Sequence, residues 1–139
     1  MSSVRENERS QGKMQVHIKA RELAVYTIRI TKNEKVFVPE YFNTVTSQII
    51  SAALDIHLCL WEANNIRVES VEEKDTRRKY QQIAVAKCNR LLALIDIARP
   101  LFHLSSKRVK YWSKLIIEAR KLAVAWKASD HERYKHIGM

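Results

Sequence analysis

Glycine is nearly missing from this chain. There are two, Gly12 and Gly138, so residues 13–137 contain none. Turns that need positive φ, glycine-rich hairpins and phosphate-cradling loops are hard to build without it. Proline is as scarce, with Pro39 and Pro100 only. Cysteine is limited to Cys59 and Cys88, which lie in apolar stretches and form no C-x-x-C pair; they read as buried thiols in a reducing compartment. No run of about 18 apolar residues occurs, so no membrane span is expected. The first residues are polar and charged, so no signal peptide is expected, and the cytoplasm is the default location.

What remains is helix-forming sequence. The 139 residues are 46% hydrophobic, which suits one domain with its own core. Residues 1–13 are polar and read as a disordered arm. Residues 14–130 carry the helical pattern, and residues 131–139 read as a polar tail that frays. The first helix is expected from about Gln15 to Lys32, with Val16, Leu23, Tyr26 or Thr27, and Ile30 at helical spacing. The second is expected from Pro39, which suits a first turn, to Asn64. Its stripe is Phe42, Val45, Ile49, Ala53, Ile56, Leu60 and Ala63.

Ser70 and Glu73 fit a capping box that opens a third helix. Its face is Tyr80, Ala84, Cys88, Leu91, Ile95 and Ala98, and Pro100 ends it. Ser105 or Ser106 caps a fourth helix to about Ser129. Its core face is Val109, Trp112, Ile116, Ala119, Ala123 and Trp126. Four amphipathic helices with short links predict an all-α, up-down-up-down, antiparallel four-helix bundle.

The residues offer little to catalysis, and the chain reads as a non-enzyme. His57 and Cys59 are two apart on a helix and point to different faces. No Glu-x-x-His pair exists for a di-metal bundle site. Asp55 and Asp96 are single carboxylates near the core stripes, and each reads as a helix-edge partner of a nearby Arg or Lys. No metal and no cofactor are expected.

Charge is informative by its distribution. Residues 1–75 hold ten Lys/Arg against eleven Asp/Glu, a net of −1, whereas residues 76–139 hold fifteen against four, a net of +11. Such asymmetry suggests a polyanionic partner. Lys107, Lys110, Lys114 and Lys121 fall in a sector of about 60°, opposite the Trp112/Ile116/Ala123 stripe. Only Glu118 borders that ridge with opposite sign. Lys107 and Arg108 sit in a first turn, where cations oppose the helix dipole and a bound phosphate would reverse the sign. The third helix adds Arg77, Arg78, Lys79, Lys87 and Arg90, with Lys87 inside the apolar arc, where it snorkels or meets a partner subunit. These ten residues are the candidate contacts, suited to the phosphate backbone of RNA or DNA rather than to base edges. A structural oligomer or adaptor whose basic face docks an acidic protein is the alternative.

The order of short motifs adds a resemblance. It rests on Tyr26-Thr27-Ile28-Arg29-Ile30-Thr31-Lys32-Asn33 with Phe37 and Pro39, then Ala53-Leu54-Asp55-Ile56 with Ala63-Asn64. Cys88 with Leu91-Leu92-Ala93-Leu94-Ile95, and Tyr111-Trp112 with Lys114, follow. Trp126-Lys127-Ala128-Ser129-Asp130 and Arg133 close the set. Across about residues 15–134 the chain resembles the four-helix-bundle proteins encoded in 23S rRNA intervening sequences. That family includes the accessory variability determinant of diversity-generating retroelements. The resemblance implies a basic bundle assembled as a ring-like homopentamer. It also implies binding to nucleic acid and to a reverse transcriptase during mutagenic copying of a template repeat. Where family members often carry basic residues early in the second helix, this chain has Thr44, Thr46 and Gln48.

Overall fold

The computed structural model describes the backbone of residues 2–139 and the side chains from residue 11 onward. It is a four-helix bundle, with no strand among the described residues. Helix α1 spans Ser2–Thr31, α2 Ser47–Asn65, α3 Val71–Leu101 and α4 Ser106–Arg133. Each of α1 and α3 packs against both α2 and α4. The backbone of α1 is thus helical from Ser2, through the segment read as an arm; the side chains of residues 1–10 lie outside the described residues.

The periodic stripes become the core. Val16, Ala20 and Leu23 of α1 meet Ile49, Ala53, Ile56, Leu60 and Ala63 of α2. Ala84, Cys88, Leu91, Ile95 and Ala98 of α3 join Trp112, Ile116, Ala119, Ala123 and Trp126 of α4. Alanine recurs on all four helices, so the backbones approach closely, and the Trp112 indole fills the space left. Of the two α1 candidates, Thr27 is fully buried and Tyr26 half-buried. The Thr27 hydroxyl is the reason: its Oγ1 accepts the Trp112 indole N–H at 3.0 Å.

Several boundaries differ from the sequence reading. The segment from Pro39 is not one regular helix. A 3₁₀ turn over Pro39–Tyr41 and a π-helical turn over Phe42–Thr46 precede α2. This change of pitch rotates Phe42 out of the stripe, and it is exposed. Val109 and Tyr80 are half-buried at the edges of their faces. The Ser70 hydroxyl caps α3 by accepting the Glu73 N–H, but the Glu73 carboxylate reaches one residue further back than a capping box requires, to the Glu69 N–H at 2.9 Å. Ser105 caps α4 by accepting the Arg108 N–H at 3.1 Å.

Pro100 does not stop α3; it lies inside the last turn, where few intrahelical bonds remain to be lost. The helix stops at Leu101, one residue after Pro100. His103 takes a left-handed φ of 54°, and the Leu104 N–H reaches the Arg99 carbonyl at 3.0 Å. This is a Schellman cap with histidine in the place that glycine usually takes. Helix α4 continues to Arg133, and in the tail the Ile137 carbonyl accepts from Lys74 Nζ at 3.1 Å.

Candidate nucleic-acid interface

The phase of α4 is locked by Trp112, Ile116, Ala119, Ala123 and Trp126, all buried. That lock turns Lys107, Lys110, Lys114 and Lys121 outward, and all four are exposed. Fourteen residues of helix separate the first from the last, about 21 Å. Among the described residues no carboxylate forms an ion pair with any of them. Glu118, the acid bordering the ridge, leans instead toward Lys19 of α1 at 3.9 Å. The ridge is therefore a line of charge that no described carboxylate balances.

Its surface is not purely basic. Ile117 and Val124 stand in the same outward row and are 45% and 46% exposed. The sequence pattern does not draw attention to them, because isolated apolar residues on an outer face are ordinary.

The start of α4 gathers further cations. Arg108 is half-buried, and Arg99, which the charge pattern does not single out, donates to the Ser106 hydroxyl at 3.0 Å. Burial pushes the nearby Tyr26 phenol up, with Arg108 acting against the shift. No acidic residue lies in the first turn of α4, so the positive end of the helix dipole adds to Arg99, Lys107 and Arg108.

Four of the five α3 candidates are engaged by groups outside the ridge. Arg77 is buried, which removes it from the accessible set. Its guanidinium grips Asp130 through Nε at 2.6 Å and Nη2 at 3.1 Å, and Nη1 donates to the Ile66 carbonyl at 3.1 Å. The physical reason is phase: Arg77 lies one turn before Gln81 and two before Ala84, on the inward face. Lys87 is half-buried and pairs with Asp55 of α2 at 3.3 Å, so its place in the apolar arc is explained within one chain. Arg90 is exposed and donates to Gln48 Oε1 at 2.7 Å. It thereby brings a cation beside the polar Thr44–Gln48 stretch. Lys79 is exposed, and Arg78 is half-buried with its guanidinium 3.3 Å from His131 Nδ1.

Other chemistry-bearing groups stay apart. No group of three or more His, Cys, Asp or Glu able to hold a metal ion occurs among the described residues. Burial pushes the Cys88 thiol up to about 12, and Cys59, half-buried, is also raised. Neither is poised as a nucleophile. No helix of the described residues is long and apolar enough to cross a membrane. Comparison with protein-family models, with curated proteins and with solved structures returns no match.

Proposed function

We propose that this protein is a non-catalytic accessory protein that binds the phosphate backbone of RNA or DNA. The observation that carries the reading is the exposed row of Lys107, Lys110, Lys114 and Lys121 with no anionic partner among the described residues. A row of ammonium groups about 21 Å long neutralises several phosphates without reading bases.

The finer parts of the proposal rest on the family resemblance. The partner is a retroelement reverse transcriptase engaged in mutagenic copying, and the assembly is a ring-like homopentamer. The unit of assembly is an antiparallel up-down-up-down bundle. Support for that topology comes from contacts late in one helix with early positions of another: Thr27 with Trp112, and Asp130 with Arg77. In a ring the ridge repeats in every subunit, which multiplies a weak electrostatic contact by avidity.

A second reading is favoured by Ile117 and Val124. Apolar side chains set among lysines suit a protein surface better than a phosphate backbone, so an acidic protein partner is the alternative occupant. A mobility-shift titration with mixed-sequence RNA and DNA separates the two. Retardation at low salt supports nucleic acid, and no retardation at any salt leaves only the acidic protein. Light scattering tests the ring, which requires five times the 16.3 kDa chain mass.

A further inference from the structure

At the end of the bundle away from Lys107 and Lys110, the start of α3 and the end of α4 flank a small cleft of about 20 Å³ that opens to solvent. Lys74, Arg78, Lys127 and His131 line it, with Tyr134 at its edge. The three cations are half-buried, and among the described residues none of them forms an ion pair. The carboxylate in the wall, Asp130, is fully used. One oxygen accepts from Arg77 Nη2, and the other accepts from Arg77 Nε and from Gln81 Nε2 at 2.7 Å.

The groups left facing the pocket are therefore donors. A guanidinium can only donate, so His131 Nδ1 accepts from Arg78 and the ring proton sits on Nε2. Lys127 and His131 are at home near a helix C-terminus, where the dipole favours cations. Lys74 and Arg78 lie in the opening turns of α3, where it does not. Nearby on α1, Lys13 is lowered by burial first and then by Arg77 and Arg133, with Asp130 acting against the shift. Partly desolvated cations without a counter-charge are costly until an anion arrives.

We propose that the open mouth of this cleft binds a phosphate group, held by Lys74, Arg78, Lys127 and the Nε2–H of His131. A phosphate dianion matches this set better than a carboxylate does, since it offers more acceptor oxygens and a second charge. The site is separate from the α4 ridge and does not depend on it. The group is carried either by a free phosphate ester or by the 5′ end of a nucleic acid.

The test compares thermal unfolding of the full chain in inorganic phosphate and in sodium chloride of equal ionic strength. Phosphate at tenfold excess over its Kd raises the midpoint by about 4 °C. The shift disappears in the Lys74→Gln/Lys127→Gln variant and persists in Lys107→Gln/Lys110→Gln. Equal midpoints in the two salts, or an undiminished shift in the pocket variant, overturn the proposal. Should the pocket variant not fold, proton NMR of the unaltered protein decides. Phosphate must move the His131 ring resonances while leaving those of His103 in place; an unmoved His131 overturns the site. A 5′-phosphorylated oligonucleotide that outcompetes its 5′-hydroxyl twin assigns the phosphate to a nucleic-acid end. Equal competition, with the phosphate shift intact, assigns it to a free ester.

Discussion

Arg77 and Asp130 lie 53 residues apart in the chain and form a two-pronged, buried ion pair, at 2.6 and 3.1 Å. The pair ties the start of α3 to the end of α4. The Arg77 guanidinium also stacks on the Trp126 ring at 5.0 Å and on Tyr134 at 5.6 Å. Asp130→Ala leaves a buried cation without its counter-charge and the Gln81 amide without its acceptor. The variant should lose about 3–5 kcal/mol in urea unfolding. The Arg77→Met/Asp130→Leu double variant should lose less than either single change, because it strands no charge. A loss below about 1 kcal/mol for Asp130→Ala would mean the pair is not buried in solution.

A second buried contact joins α1 to α4. Thr27→Val keeps the shape but leaves the Trp112 indole N–H without an acceptor, at a cost of about 1–3 kcal/mol. Thr27→Ser should restore most of it. Trp112→Ala should cost about 3–5 kcal/mol by emptying the middle of the core. Equal stability of Thr27→Val and the parent protein would show that the indole bond contributes nothing.

His103 offers a gain. It is exposed and left-handed, and only its backbone geometry is used at the end of α3. His103→Gly should raise stability by about 1 kcal/mol, since glycine takes this conformation without the side-chain clash. Thermal unfolding reads the change, and a lower midpoint would contradict the strain.

Acid should weaken the α1–α2 contact. His17 lies edge-on to Trp61 at 5.9 Å and to Trp126 at 5.7 Å, and neither of its ring nitrogens finds a hydrogen-bond partner among the described residues. Burial lowers its pKa first, and His57, Lys13 and Arg77 add to the effect. His57 is lowered by burial and then by Arg21. Folding thus favours the neutral imidazole at both positions, and both protonate more readily once unfolded. Their stabilising effect is complete above pH 6.5, the ordinary histidine value, and is lost as pH falls below it. The unfolding midpoint should drop as pH falls below about 6.5, and His17→Phe should reduce that drop. An unchanged drop in His17→Phe would place the acid sensitivity elsewhere.

The helical stripes were legible because heavy residues recur every three or four positions and glycine does not interrupt them. Trp112, Ile116 and Ala123 set the phase of α4, and that phase set the lysine ridge. The pattern fails where local geometry departs from a regular helix. Phe42 leaves its stripe because a π-helical turn changes the pitch. His103 adopts a positive φ that glycine scarcity argues against, because tertiary packing of Phe102 and Leu104 requires the chain to turn there. Arg77 read as a surface cation because nothing local reveals that Asp130 meets it from another helix. The pocket of Lys74, Arg78, Lys127 and His131 was hidden for the same reason: its members come from the two ends of a long stretch of sequence.

The central claim is that the α4 ridge binds nucleic-acid phosphates, and its salt dependence tests it most directly. Affinity for a mixed-sequence oligonucleotide is measured by fluorescence anisotropy from about 50 to 200 mM salt, a range over which several phosphate contacts change affinity strongly. Log affinity should fall linearly with log salt, by about 0.7 per phosphate on single strands and 0.9 on duplex DNA. The triple variant Lys107→Glu, Lys110→Glu and Lys114→Glu should bind more weakly and with a flatter slope. Its unfolding should stay within about 0.5 kcal/mol per substitution, because these side chains touch no core. A parent protein that does not bind at the lowest salt, or a variant that keeps the parent slope, contradicts the account.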